Sequence, residues 1–336
     1  MRRQPLLSIA LPTCNRLDSL RETVGPLLES DLLDDEFELR IFNNASTDGT
    51  TEWLAGLRHQ AGLAICNQPF NVGLEGNIIA ALLGSPGRYV WLMADHMVLD
   101  PASIREFKAR LPALAAQQVA FVYAVIRSYG PVLSEPFAPR PWRDLSRGQQ
   151  SRFIFYTSNL TSVVVEKSLS VSAARSIYRF AGFSYPHLGL YAAFKPDTLV
   201  AESLPLTDFA RSTAAQSRVP SYHRFRSRFI GYPQAVIKLR ALNDSIRPNR
   251  LGLRYATGAL RNDCKQMLTG SSAVQPVDFL QALRYFPWRS KGFLAFCTLL
   301  ATLPRSVRIP LAGLVFRVRP NKESSVSGTR AFQVAE

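Results

Sequence analysis

No run of apolar residues in this chain of 336 is long enough to cross a bilayer. The uncharged segment Gly292–Leu303 has twelve residues, against the roughly 20 that a spanning helix needs. The four cysteines, Cys14, Cys66, Cys264 and Cys297, are scattered with no Cys-x-x-Cys pair. That argues against a zinc site or a disulfide framework and suits a reducing compartment. Charged residues make up only 19%, too few for a largely disordered chain. The first strand-like run is not followed by Gly-x-Gly-x-x-Gly, which disfavours a nicotinamide-dependent dehydrogenase. No helix-turn-helix, RNA-binding aromatic motif or zinc knuckle accompanies the basic pI, so no specific nucleic-acid partner is expected. No internal repeat is visible. The start, Met1-Arg2-Arg3-Gln4-Pro5, leads into an apolar run too short for a signal peptide's hydrophobic core. A cytoplasmic protein is expected.

What is present is a chain 47% hydrophobic, able to bury a full core. Its charge is distributed unevenly. Residues 211–336 carry 21 Lys and Arg against 5 Asp and Glu, a net of +16, leaving −1 for the first 210. The basic half is either a solvated surface or a surface for anionic lipid.

The front alternates strand and helix signals. Leu6–Leu11, Phe37–Phe42, Leu63–Cys66, Tyr89–Met93 and Val119–Ile126 read as strands. Leu17–Leu28, Thr51–Leu57, Gly73–Leu83 and Pro101–Leu114 read as the intervening helices, with Asp48 or Thr50 available as a cap for the second and Pro101 opening the last. This order predicts an α/β fold with a doubly wound, mostly parallel sheet. The Pro-, Ser-, Gly- and Arg-rich stretch Arg127–Gln150 reads as a loop insertion. Asn159–Glu166 and Leu199–Leu204 read as further strands, and Leu169–Phe180 and His187–Phe194 as helices. Beyond about residue 210 the signals turn helical, over Arg224–Leu242, Leu251–Met267 and Val277–Tyr285. Gly292–Leu303 and then Ile309–Phe316, the latter broken by Pro310, are bracketed by Arg305, Arg308, Arg317 and Arg319. Short apolar helices with flanking arginines suit either a buried core or the headgroup layer of a membrane.

Two polar loops carry the chemistry. The first strand empties into Pro12-Thr13-Cys14-Asn15-Arg16, and the second into Asn43-Asn44-Ala45-Ser46-Thr47-Asp48-Gly49-Thr50. Loops at the carboxyl ends of strands are where open α/β sheets bind ligands. Asn71-Val72-Gly73 with Gly76-Asn77 comes next. The apolar run Tyr89–Leu92 then leads into Met93-Ala94-Asp95-His96-Met97-Val98-Leu99-Asp100-Pro101. In this order the segments resemble the family 2 glycosyltransferases, over roughly residues 6–205 and most densely over 6–101.

The resemblance implies the nucleotide-diphospho-sugar transferase (GT-A) fold in residues 1–210, with a basic helical extension in 211–336. It implies that Pro12, Thr13, Asn15, Asn43 and Asn44 flank the base and ribose of a donor. Asn43 replaces the usual acid there, and its amide both donates and accepts. Asp48 and Gly49 match the family's Asp-Gly; Asp48 serves the donor, a turn or cap, or both. Gly73 and Asn77 match a second donor segment. The family's Asp-x-Asp holds a manganese or magnesium ion on the diphosphate. This chain keeps Asp95 but places His96 and Met97 where the other acids stand. Three arrangements follow: Asp95 and the diphosphate suffice for the ion, His96 assists as a ligand, or cationic side chains replace it. Asp100 reads as a cap for the helix opened by Pro101.

The family's second-half Glu-Asp pair, which holds the catalytic base, is also absent. Gly182-Phe183-Ser184-Tyr185-Pro186-His187-Leu188-Gly189 stands there, as in the abequosyltransferase-like O-antigen branch. His187 is the candidate base, an acceptor contact or a structural residue; His59 and His223 have no supporting context. Arg211, Arg218, Arg224, Arg226 and Arg228 either clamp a diphosphate or form a solvated face. The expected function is inverting transfer of a sugar from a nucleotide-diphosphate donor to a hydroxyl of a lipid-linked saccharide. That places the protein in bacterial surface polysaccharide or lipopolysaccharide assembly, peripheral on the anionic cytoplasmic face of the inner membrane. The alternative is a catalytically inactive relative that binds a nucleotide or a partner enzyme.

Overall fold

A computed structural model of the protein describes residues 4–57, 60–128, 132, 135–211, 225–246, 257–269, 275–286 and 288–317. The chain divides into two units, Met1–Ser217 with Ile237–Asn249, and Arg218–Val236 with Arg250–Glu336.

In the first unit the strands are β1 (Leu7–Thr13), β2 (Phe37–Asn43), β3 (Leu63–Asn67), β4 (Tyr89–Leu92), β5 (Met97–Leu99), β6 (Phe121–Tyr123), β7 (Arg140–Pro141), β8 (Val163–Glu166), β9 (Leu199–Glu202) and β10 (Asp208–Arg211). The helices are α1 (Leu17–Leu28), α2 (Thr50–Gly56), α3 (Gly73–Gly84), α4 (Pro101–Ala116), α5 (Arg147–Tyr156) and α6 (Lys167–Arg179). The main sheet has the order β3-β2-β1-β4-β8-β6-β9-β7, and β10 pairs with β5 in a separate ribbon. β1 is buried along its whole length, as befits an apolar strand with parallel partners on both edges, β2 on one side and β4 on the other. The sheet is mixed and mostly parallel. β8 runs antiparallel to β4 and β6, and β7 antiparallel to β9.

From β1 the chain winds outward through β2 to β3, then returns to place β4 on the other edge of β1. The winding therefore reverses between β1 and β4, the kind of switch point at which open α/β sheets bind ligands. Register puts Thr13 opposite Asn43, so the two polar loops start at the same height.

One side of the sheet packs Leu20, Val24, Trp91, Phe107 and Leu111 into the main apolar cluster. Elsewhere Phe121, Trp142, Phe153, Tyr191 and Phe194 interlock with ring centroids 4.7–5.8 Å apart. Trp142 comes from the stretch expected to be a loop insertion. That stretch instead supplies β7 and leads into α5, whose start is a capping box: Ser146 Oγ accepts from Gln149 N at 3.3 Å and Gln149 Oε1 from Ser146 N at 2.9 Å. The strand expected over Asn159–Glu166 begins only at Val163, after a short 3-10 turn at Leu160–Ser162. The helix expected at His187–Phe194 is a 3-10 segment, Pro186–Ala193. Asn243, outside the front segment, donates from Nδ2 to the carbonyls of Tyr191 (2.9 Å) and Phe194 (2.7 Å).

Helix α7 (Tyr232–Leu242) follows a π-helical turn at Ser227–Gly231. The second unit holds α8 (Thr257–Thr269), α9 (Pro276–Leu283), α10 (Trp288–Thr302) and α11 (Arg305–Arg317), together with the first residues of α7 up to Val236. Phe225, Phe229, Phe279 and Phe286 make its aromatic centre, with centroids 5.1–5.6 Å apart. Arg228 bridges Asp263 at 2.9 Å, and Arg226 bridges Asp278 at 3.5 Å. Pro310, expected to break the last apolar stretch, lies inside α11, where it forfeits one backbone hydrogen bond. All four cysteines are free thiols. Among the described residues no helix is long and apolar enough to cross a membrane.

Candidate active site

The loops after β1 and β2 are laced together before any ligand is considered. Asn44 N donates to Thr13 O at 2.9 Å, Asn15 N to Ser46 Oγ at 2.9 Å, and Thr47 N to Asn15 Oδ1 at 2.7 Å. Asn15 adopts φ +51°, a left-handed conformation that asparagine tolerates better than most residues. Asp48 bridges the same loops: Oδ2 accepts from Leu17 N at 3.0 Å, at the start of α1, and Oδ1 from Thr50 Oγ1 at 2.5 Å. Burial alone would raise its pKa, but the hydrogen bonds from Thr50 and Leu17 hold it below the ordinary carboxylate value. The cap residue of α2 is Gly49, at φ +89°, a conformation open to glycine.

The asparagines point inward. Asn43 Nδ2 donates to Thr51 Oγ1 and Asn67 Oδ1, both at 2.9 Å, while its Oδ1 accepts from Ser46 N at 3.2 Å. Asn44 Nδ2 donates to Asn71 Oδ1 at 2.9 Å, and its Oδ1 accepts from Val72 N at 2.8 Å. Asn77 Nδ2 donates to Phe42 O at 2.8 Å, while its buried Oδ1 has no partner among the described residues. Pro12 is buried at the end of β1. Gly73, at φ +78°, turns the chain into α3. These side chains set the shape of the loops and hold them over the ends of the strands.

Beyond β4 the backbone stays tied to the sheet through Met93 N and Ala10 O, 2.9 Å apart. Asp95 then turns back toward β1. Its Oδ2 accepts from Thr13 Oγ1 at 3.0 Å and its Oδ1 from Arg16 Nη1 at 3.3 Å; His96 Nδ1 lies 3.4 Å from the same Oδ1. Ser19 Oγ, on α1, donates to the Asp95 carbonyl at 2.7 Å. The side chains of Asp95, Arg16 and His96 are 11%, 23% and 32% exposed, so the cluster opens outward through Arg16 and His96. Met97 is buried in the main apolar cluster, on β5 and in register with Arg211 of β10. Asp100 caps α4, accepting from Ala102 N at 3.1 Å.

On their own these residues make a poor site for a divalent cation. Magnesium is held by one or two carboxylates together with water and substrate phosphate oxygens, and this cluster offers one carboxylate and one imidazole. Both carboxylate oxygens are already engaged, one of them by a guanidinium that would repel a second cation. Among the described residues no three His, Cys, Asp or Glu side chains are grouped to hold a metal.

His187 lies in the 3-10 segment Pro186–Ala193, which packs on α6 so closely that a Cβ on Gly189 would meet Ile177 Cα and N at 2.6 Å. Its ring is buried, and Nε2 lies 3.2 Å from Ser158 O. A carbonyl only accepts, so Nε2 carries the proton and Nδ1 presents the lone pair. Nδ1 has no hydrogen-bond partner among the described residues. Burial pushes the pKa down to about 4, against the opposing pull of the Ser158 and Thr157 carbonyls.

The structure thus gathers Thr13, Asp95 and His96 into one cluster, with Asn15 and Asp48 in the adjoining laced loops and Pro12, Asn43, Asn44, Gly73 and Asn77 shaping them. No described hydrogen bond or ion pair joins His187 to that cluster. The sequence reading passed over Arg16 and Ser19 as site residues. Arg16 follows directly on Pro12–Asn15, and that adjacency was the available signal. His59, His223, Arg218 and Arg224 lie outside the described residues, as does the side chain of Arg211. Arg226 and Arg228 pair with acids of the second unit.

Residues 8–168 match the sequence profile of glycosyl transferase family 2. The abequosyltransferase RfbV of Salmonella typhimurium is 28% identical over 112 residues, which is 33% of this chain and 34% of that protein. The match therefore spans about a third of its curated relative. Among solved structures, S. aureus TarS 1-349 in complex with UDP superposes with a TM-score of 0.56 at 12% identity, over 93% of this chain and 91% of TarS 1-349. The mannosyltransferase PcManGT from Pyrobaculum calidifontis, in complex with GDP-Man and Mn2+, gives 0.52 at 15% identity, over 94% and 86%. At these identities the likeness is one of fold.

Proposed function

The chain belongs to glycosyl transferase family 2, its residues 8–168 carrying the family domain, and we propose that it transfers a sugar from a nucleotide-diphosphate donor to a hydroxyl of a saccharide acceptor. The observation that carries this reading is the convergence of the Thr13–Arg16 loop and Asp95 where the sheet reverses its winding between β1 and β4, the crevice in which open α/β sheets hold nucleotides. The laced loops at Asn15, Asn44 and Asp48 would form its rim and receive the base and ribose.

Transfer with inversion requires the acceptor oxygen to attack the anomeric carbon as the bond to the diphosphate breaks and its electron pair leaves with the diphosphate. The acceptor proton passes to a base. We assign that role to Nδ1 of His187. With a pKa near 4 it is neutral at physiological pH but weakly basic, so proton removal would accompany bond formation rather than precede it. The ring's burial means that the acceptor hydroxyl reaches it only if the side chains over it move.

The acceptor is proposed to be lipid-linked, as in bacterial surface polysaccharide assembly, with the protein at the anionic cytoplasmic face of the inner membrane. Support comes from α11, where Val307, Leu311, Leu314 and Val315 are 45%, 40%, 60% and 37% exposed at the spacing of a single helix face. The segment 211–336 that contains it has a net charge of +16, complementary to anionic headgroups.

Calorimetric titration with UDP-, GDP-, CDP- and dTDP-sugars tests the reading. Saturable binding of one donor, weakened by Asp95→Ala, is expected. A folded protein that binds none of them would instead be an inactive relative.

A further inference from the structure

We infer that Arg16 supplies the positive charge that neutralises the donor diphosphate, in the place where the fold otherwise seats a divalent cation. The inference rests on the transferase reading and adds the identity of the charge at its centre. Three observations carry it. The position expected to hold a second metal-binding acid is Met97, and its side chain is buried in the apolar core. The remaining carboxylate, Asp95, has both oxygens engaged: Thr13 holds Oδ2, and Arg16 and His96 converge on Oδ1. The cation already at that carboxylate is a guanidinium, partly exposed and making no other hydrogen bond among the described residues.

The local structure keeps Arg16 in place. It is the residue immediately before α1, whose first amide is held by Asp48 and whose Ser19 is bonded to the Asp95 carbonyl. Asn15, next to it, is pinned to Ser46 and Thr47. Only one edge of the guanidinium is used by Asp95, which leaves planar N–H groups to accept a phosphate in a forked arrangement. In transfer, the anomeric C–O bond to the diphosphate breaks and its electron pair stays on the diphosphate oxygen. Arg16 stabilises that charge by hydrogen bonding and is itself unchanged, while Asp95 acts as the positioning residue that aims it. His96 adds a second donor to the same carboxylate.

The test uses the intact protein and nucleoside diphosphates titrated by calorimetry, in EDTA and then in manganese or magnesium. UDP, GDP, CDP and dTDP identify the accepted base, and the matching nucleoside without phosphate serves as control. Affinity for the accepted diphosphate is expected to agree within about twofold between EDTA and metal. Arg16→Gln should weaken diphosphate binding roughly ten- to a hundred-fold and leave nucleoside binding unchanged; Arg16→Lys should restore part of it. Circular dichroism confirms that each variant is folded. Binding that needs manganese or magnesium, or an Arg16→Gln protein that binds as tightly as wild type, would overturn the inference while leaving the transferase reading intact. Failure to bind any nucleotide under every condition would overturn both.

Discussion

Asn44 holds the turn at Asn71 from across the ends of the strands, donating to Asn71 Oδ1 at 2.9 Å and accepting from Val72 N at 2.8 Å. The loop after β2 and the start of α3 are therefore one object, tied by a buried amide whose donor and acceptor are both used. Asn44→Ala strands the Val72 amide and leaves Asn71 Oδ1 with only its bond from Gly73 N, at 2.8 Å. Removing one partner of a buried hydrogen bond costs about 1–3 kcal/mol, so the urea midpoint should fall with the slope unchanged. Donor affinity should fall with it, because the rim of the crevice is released. A variant with wild-type stability would mean that the amide is dispensable to the loop.

Gly189 offers a sharper test of the packing around His187. A Cβ there would stand 2.6 Å from Ile177 backbone atoms, which cannot swing aside as a side chain can. Gly189→Ala should destabilise by about 1–3 kcal/mol or more. Gly292, exposed inside α10 with open space around its Cβ position, is the matched control. Gly292→Ala should be neutral or stabilising by about 0.5–1 kcal/mol. Equal effects at the two sites in urea denaturation would contradict the close approach of the Pro186–Ala193 segment to α6.

Stability should also depend on pH through His187. Its folded pKa, about 4, lies below the ordinary value of 6.5, so between these two values the unfolded chain binds more protons. The contribution is fully present above about pH 6.5 and is lost as pH falls through about 4, by up to roughly 3 kcal/mol. Urea titrations at several pH values, wild type against His187→Gln, isolate it from the carboxylates. The variant should show a shallower decline across this window. If His187 is the base, the acidic limb of kcat/KM should lie near the folded value; a purely structural histidine would change stability and leave that limb where it was.

The exposed face of α11 predicts lipid binding. Flotation with vesicles containing anionic phospholipid should recover the protein, and with zwitterionic vesicles much less. Leu311→Asp with Leu314→Asp should abolish recovery without altering the circular dichroism spectrum, and raised salt should weaken it. Unchanged flotation would place the contact elsewhere.

The first half of the chain was readable because its strands are apolar runs bounded by polar loops, and Leu7–Thr13, Phe37–Asn43 and Tyr89–Leu92 fall close to the expected positions. Composition misled where a local signal was overlooked. Ser146 and Gln149 form a capping box inside a Pro- and Arg-rich stretch, and α5 follows from it. β10 could not be read locally, since its short segment exists through pairing with β5, more than a hundred residues earlier. The site shows the same limit. Asn43, Asn44 and Asn77 have side chains that suit a nucleotide and a loop scaffold equally well, and only their burial and partners reveal the scaffold. Arg16 and Asp95 stand 79 residues apart in sequence, so their pairing is a property of the sheet's winding.

Transfer itself is the most direct test. Purified protein is incubated with the donor it binds, labelled in the sugar, and with a lipid-linked saccharide extract; label in the lipid phase and released nucleoside diphosphate are followed together. The account predicts release that depends on the acceptor, matches the label transferred and is lost in Asp95→Ala. Donor binding without release or transfer, across acceptor extracts that support other family 2 enzymes, would contradict it and leave a nucleotide-binding protein without transferase activity.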